Sequence, residues 1–99
     1  MEREADGRLL AKLAANELEV NVRLSGEDLA ALADARAASW DKRRTVRAGE
    51  SAAAPVFWAS EGDQAMLLIG DDDETWDVAV AVPLRVIDEI VRAGQRLTV

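Results

Sequence analysis

The sequence predicts an α+β domain, a mainly antiparallel sheet of four to five strands packed by two to three helices. Residues 17–24 alternate apolar and polar side chains, as a strand with one buried face does. Three short apolar segments, 56–60, 64–70 and 75–82, follow one another with turn residues between them. The segment after Pro83 carries apolar residues at helical spacing over about half of a helix circumference.

The predicted order of elements is α-β-α-β-β-β-β-α. Leu9, Leu10 and Leu13 share a narrow face, which predicts a weak first helix over residues 8–16. Ser25, followed by acidic residues, predicts the start of a second helix that reaches residue 39.

The rest of the chain continues the same pattern. Residues 41–48 are polar on both faces, which indicates an edge strand, and the small residues of 49–55 indicate a loop. Pro83 suits the first turn of the closing helix, because its missing N–H has no helical partner there. Gly94 is typical of the residue that ends a helix, so residues 95–99 are expected to form a tail or a short strand.

The chain of 99 residues is expected to form one domain, 1–99, in which residues 1–16 are a weakly packed helix or arm. The three central strands are apolar on both faces, and such a sheet must be covered on both sides. Two good helices cover one face only. We therefore expect either the first helix or a second copy of the chain on the other face, and we predict a homodimer.

Composition excludes several classes of function. The chain contains neither cysteine nor histidine, which removes disulfides, thiolate nucleophiles and the commonest metal ligand. No nucleotide-binding, hydrolase or metalloprotease motif occurs, so we expect no enzyme, no cofactor and no dedicated metal site. The charged N-terminus and the shortness of every apolar run predict a cytoplasmic protein with no membrane partner.

The negative charge is concentrated in one place. Residues 61–77 contain seven acidic residues and no basic one, which equals the net charge of −7 of the whole chain. We call residues 71–77 the acidic turn, and its candidate binding residues are Asp71, Asp72, Asp73, Glu74, Trp76 and Asp77. Asp71 and Asp73 have the spacing of the first ligands of an EF-hand loop, but Trp76 and Val82 stand where its glycine and bidentate glutamate belong. The pattern excludes a dedicated calcium site but leaves weak binding of a hard cation open. The two main interpretations of the turn are a solvated tip and a surface that recognises a basic partner.

A smaller basic cluster lies upstream, after Trp40. It comprises Lys42, Arg43, Arg44 and Arg47, and we call residues 42–47 the basic segment. Such side chains can contact phosphate, and an aromatic neighbour can stack on a base. Four cations in a protein with an isoelectric point near 4.5 make nucleic acid an improbable partner. Charged side chains that protect an exposed sheet edge explain the cluster more simply.

The leading hypothesis is a non-catalytic protein-binding module. It would resemble an inhibitor or antitoxin in function, docking a basic partner through the acidic turn with Trp76 as an apolar anchor. Two alternatives stay open. One is a nucleic-acid-associated regulator that uses residues 42–47, and the other is a purely structural homo-oligomer.

Overall fold

A computed structural model describes residues 1–15, 18–72 and 74–98. Its strands are β1 (Glu2–Arg3), β2 (Leu9–Ala15), β3 (Leu18–Leu24), β4 (Val46–Ser51), β5 (Ala54–Glu61), β6 (Gln64–Gly70) and β7 (Trp76–Pro83). Its α-helices are α1 (Gly26–Leu32) and α2 (Arg85–Thr98), and two short 3₁₀ turns, Ala35–Ala37 and Trp40–Lys42, lie between α1 and β4. Within the described ranges, neither helix is long and apolar enough to cross a membrane.

The seven strands form one antiparallel sheet in chain order, β1 to β7. The α+β class is therefore correct, but the prediction of four to five strands packed by two to three helices is wrong. The sheet has seven strands, and α1 and α2 are the two α-helices of the described residues. The strands of this sheet rather than additional helices enclose most of the core.

The predicted first helix is wrong, because residues 9–15 form β2. Leu9, Ala11 and Leu13 are buried, whereas Lys12 is exposed. This two-residue period places the apolar side chains on one face of a strand, and β2 pairs with β3 along its whole length. Alanine and leucine have high helix propensity, but pairing with a neighbouring strand overrides that weak preference.

The second predicted helix begins where expected but is shorter. Ser25 Oγ accepts a hydrogen bond from the Asp28 backbone N–H at 3.1 Å, and the Ser25 N–H donates to Asp28 Oδ2 at 2.8 Å. This reciprocal capping box starts α1, as the sequence predicts. The helix ends at Leu32 instead of residue 39. Arg36 therefore lies beyond the helix, and its Nη1 pairs with Asp88 Oδ2 of α2 at 2.6 Å.

The expectations for 41–55 are also corrected. Residues 40–42 form a 3₁₀ turn, and the strand begins only at Val46. The predicted loop is replaced by the end of β4, a two-residue turn at Ala52 and Ala53, and the start of β5. The turn is tight because Ser51 pairs directly with Ala54 across it.

The last four elements match the predicted order. Strands β5, β6 and β7 lie within two residues of the predicted segments, and a helix follows Pro83. Pro83 is the last residue of β7 instead of part of the helix. Helix α2 continues through Gly94 to Thr98, so the predicted stop at Gly94 is wrong.

One face of the curved sheet holds the main core. Leu29 and Leu32 of α1 and Ile87 and Ile90 of α2 are buried against it. Trp58 is fully buried in this core, and its indole N–H donates to the Ala48 carbonyl at 2.8 Å. The sheet curls far enough to bring β2 into contact with β7.

The outer face carries a second, smaller buried group. Ala38, Ala59 and Leu68 are buried but do not belong to the main core. Ala38 lies in the segment 33–45 that connects α1 to β4, which we call the connector. The connector is tied to β5, since the Ala38 carbonyl accepts from the Ser60 backbone N–H at 2.7 Å. It therefore covers part of the outer face that the sequence assigned to a helix or a second copy.

Strand β4 joins the two halves of the sheet at a bulge. Its pairing with β5 shifts between Arg47 and Glu50, and Gly49 adopts φ +87° at that point. A Cβ at Gly49 would lie 2.7 Å from side-chain atoms of Leu24 and Val22. The absence of a side chain lets β3 pack directly on the bulge.

We predict that Gly49→Ala destabilises the fold more than Gly62→Ala. Both glycines have positive φ, but a Cβ at Gly62 would meet open space. The two variants share the left-handed backbone strain, so overpacking at Gly49 should lower the free energy of unfolding by about 1–3 kcal/mol more. Urea denaturation followed by tryptophan fluorescence measures the difference. Equal losses in the two variants would contradict the close packing at the bulge.

The hairpin between β4 and β5 predicts a stabilising pair of substitutions. Ala52 and Ala53 have φ of 50° and 67°, the left-handed conformation that a type I′ turn needs at both positions. Asn and Gly adopt it with less strain than Ala. Ala52→Asn with Ala53→Gly should raise the free energy of unfolding by about 1 kcal/mol, measured by urea denaturation. A lower stability of the double variant would contradict this turn assignment.

Candidate functional site

The acidic turn projects from the end of the β6–β7 hairpin. Asp71, Asp72, Glu74 and Asp77 are all exposed, while Asp73 lies outside the described residues. The ion pairs of the described residues involve none of these carboxylates. The carboxylates of Asp71, Glu74 and Asp77 are therefore accessible to a partner, whereas that of Asp72 is hydrogen-bonded to the backbone of the turn. Nor does the described part of the chain bring three acidic side chains together as metal ligands.

Asp72 holds the turn in one conformation. Its Oδ1 accepts hydrogen bonds from the backbone N–H of Glu74 at 2.8 Å and of Thr75 at 2.6 Å. These donors favour the charged carboxylate, so they lower the pKa of Asp72, the Glu74 N–H contributing most and the Thr75 N–H next. Asp72 thus orients the chain that carries Glu74 and Trp76.

A second bulge turns Trp76 onto the outer face of the sheet. Ile69 pairs with Val78 but Gly70 pairs with Trp76, so Asp77 is the extra residue. A Cβ at Gly70 would lie 2.6 Å from the Thr75 carbonyl oxygen, and Gly70 therefore permits this close return of the chain. Trp76 is 36% exposed, among the highest values for large apolar side chains of the described residues. The sequence names Trp76 as a candidate apolar anchor, and the structure places it at the surface.

The connector brings Trp40 against Trp76. The two ring centroids are 5.7 Å apart and the ring planes meet at 76°, an edge-to-face contact. Arg43 lies over the Trp40 ring, with its Cζ 4.4 Å from the centroid, close enough for a cation–π contact. Arg43 has φ +55° and its N–H donates to the Trp40 carbonyl at 2.8 Å, which ends the 3₁₀ turn. Backbone and side chain of Arg43 therefore both fix the position of Trp40.

These residues line a groove of about 310 Å³. We call it the tryptophan groove, and it is formed by Trp40, Arg43, Glu74 and Trp76. It contains one residue of the basic segment and two of the acidic turn. Glu74 and Arg43 line the same groove without an ion pair within 4 Å between them among the described contacts. The groove thus offers two aromatic rings, one cation and one anion.

The basic segment does not form the continuous strand that the sequence predicts. Lys42, Arg43 and Arg44 lie in and just after the second 3₁₀ turn, and only Arg47 lies on β4. All four side chains are exposed. Because the Arg43 side chain lies over Trp40, the four basic side chains do not line up along one strand.

The sequence allows an internal pairing of the basic segment with the acidic turn, but it could not place the two segments together. Trp40 and Trp76 are far apart in the chain, and β4, β5 and β6 intervene. The sequence offered only an aromatic residue next to each charged cluster as a signal. The contact depends on the path of the connector, which local patterns do not encode.

No protein-family model, curated protein or solved structure matches this chain. The function is therefore argued from the geometry of the groove and the turn.

The hydrogen bonds of Asp72 predict a pH response of the turn. Because its pKa is lower in the folded protein than the ordinary 3.8, its contribution to stability is present above that value and is lost as the pH falls through the folded pKa. The amide protons of Glu74 and Thr75 should shift together in an NMR titration with a midpoint below 3.8. Asp72→Asn removes the titrating group and is the control. A midpoint at or above the ordinary value would contradict these hydrogen bonds.

Proposed function

We propose that this protein is a small non-catalytic module that binds a basic protein partner through the acidic turn and the tryptophan groove. One observation carries the proposal: the exposed carboxylate of Glu74 and the exposed indole of Trp76 line the same groove. An inhibitor or antitoxin-like protein that neutralises a basic enzyme by stoichiometric contact is a function of this class.

The groove suits an arginine or lysine side chain of the partner. A guanidinium that stacks on Trp76 is attracted by the indole face and can pair with the Glu74 carboxylate at the same time. Arg43 already lies over Trp40 and repels a second cation there. The partner cation is therefore expected on the Trp76 side of the groove, away from Arg43.

The surrounding charge supports recognition of a basic surface. The described carboxylates of the acidic turn are exposed and are outside the ion pairs of the described residues. A concentrated negative charge speeds encounter with a positive partner and disfavours acidic ones. The same charge disfavours phosphate near Arg43, which weighs against the nucleic-acid alternative.

Binding of a synthetic arginine-rich peptide tests the proposal. We expect wild-type protein to bind such a peptide more tightly than the matched peptide with glutamine in place of arginine, and more weakly as salt rises. Glu74→Gln and Trp76→Ala should each weaken binding about tenfold, the effect of losing about 1.4 kcal/mol. Isothermal titration calorimetry measures the affinities.

Glu61→Gln is the matched control. It removes one negative charge beside the β5–β6 turn, at the end of β6 that is opposite the acidic turn. Its affinity should stay within about twofold of wild type if the groove rather than net charge decides binding. Equal affinities for wild type and Trp76→Ala would refute the groove as the site. Binding of a single-stranded oligonucleotide that is lost in Arg44→Gln would support the nucleic-acid alternative instead.

A further inference from the structure

The sheet curls without closing, and a cleft remains between β2 and β7. Strand β1 pairs only with Leu9 and Leu10, so β2 has no partner strand on that side from Ala11 onward. Strand β7 approaches β2, but no ladder joins these two strands within the described residues. Residues of α2 line the gap as well, and we call the resulting space of about 420 Å³ the seam cleft.

The walls of the seam cleft are largely apolar. They are formed by side chains of β2, β7 and α2, namely Ala11, Leu13, Val82, Val86, Ile90 and Ala93. Several of these side chains belong to the main core, so the cleft is built on ordered strands and a helix. Small-molecule sites in proteins are typically concave, of this size, and apolar with a few polar groups. The seam cleft has the shape and the lining of such a site.

Two basic side chains of the seam cleft have no acidic partner. Lys12 and Arg96 line it and are exposed, and neither takes part in the ion pairs of the described residues. Glu89 is the acidic residue among the described lining residues, and it pairs with Arg85 at 3.5 Å. The lining of the cleft is therefore positive, although the whole chain carries a net charge of −7.

The acidic turn lies too far away to cancel this local charge. It leads into Trp76 at one end of β7, whereas Val82 of the cleft lies near the other end. The strand between these two residues spans about 20 Å, about twice the distance over which physiological salt screens exposed charges. A ligand in the seam cleft therefore responds mainly to Lys12 and Arg96.

We propose that the seam cleft binds a small amphipathic carboxylate, an apolar chain or ring with one anionic head group. The apolar body packs against Leu13, Val86 and Ile90, and the carboxylate lies at the rim, where it pairs with Lys12 and Arg96. Burial of the apolar body supplies most of the binding free energy, and the two basic groups select the charge of the head group. A cationic amphiphile would bury the same surface but would face two positive charges.

An NMR titration of the full chain with decanoate tests the proposal. The amide signals of Ala11 and Val86 should shift with a dissociation constant of about 0.1–1 mM, while that of Trp76 stays in place. Acetate, which has the head group without the chain, should leave the signals of Ala11 and Val86 unchanged. Decyltrimethylammonium has the same chain with a cationic head, and it should shift them about tenfold more weakly, against the attraction of the negative net charge.

Substitutions at the rim separate the head-group contact from the apolar contact. Lys12→Gln and Arg96→Gln should each weaken decanoate binding about two- to fivefold, the effect of losing an exposed ion pair. Arg92→Gln is the control, because it removes the same charge from α2 beside Ala33 and Asp88, outside the seam cleft. Its affinity for decanoate should equal that of wild type.

Ala93→Phe tests the apolar wall, because its ring occupies the space in which the chain of decanoate lies. This variant should lose the decanoate shift at Ala11, while circular dichroism establishes that it is folded. The rim variants keep the test decisive if Ala93→Phe does not fold, because Lys12 and Arg96 are exposed and contribute nothing to the core.

Three results would overturn the proposal. These are unchanged signals of Ala11 and Val86 at about 5 mM decanoate, equal or tighter binding of decyltrimethylammonium at these two residues, and an Arg92→Gln variant as weak as Arg96→Gln. Peptide binding at the tryptophan groove is measured separately and at other residues, so the outcome is independent of the proposed function.

Discussion

The packing of β3 against the bulge at Gly49 is the constraint on which the rest of the structure depends. Strands β3 and β4 are joined in register at Arg23 and Glu50, and this link connects β1–β3 to β4–β7. A side chain at Gly49 would collide with Leu24 and Val22. A bulge bends the strand that carries it. Helices α1 and α2 pack on one face of the sheet, and β2 approaches β7.

The candidate site follows from this arrangement. Helix α1 lies on the inner face, contacts β3 and β4, and ends at Leu32. The chain must then reach the start of β4, and the connector does so along β5, where Ala38 is held by Ser60. This route buries Ala59 and Leu68 and carries Trp40 to Trp76. The tryptophan groove therefore forms because the connector between α1 and β4 is long enough to cross the outer face of the sheet.

The parts of the fold that the sequence predicts are those with strong local signals. The capping box at Ser25 and the closely spaced apolar strands β5 to β7 are determined by neighbouring residues. Strand β2 was missed because Leu9, Leu10 and Leu13 also fit one face of a helix. Only the pairing of β2 with β3 decides between the two periods. The predicted position of β4 was wrong because its glycine bulge and the Ala-Ala turn that follows have the composition of a loop.

The sequence by itself determined the position of the negative charge along the chain and the absence of cysteine and histidine chemistry. These properties depend on composition and on residues close together in the chain, and folding leaves them unchanged. The tertiary structure alone decided that seven strands form a single sheet, that Arg43 and Glu74 line one groove, and that β2 approaches β7. Such features depend on which distant segments become neighbours, and that choice is made by the burial of apolar surface in the whole molecule rather than by any local pattern.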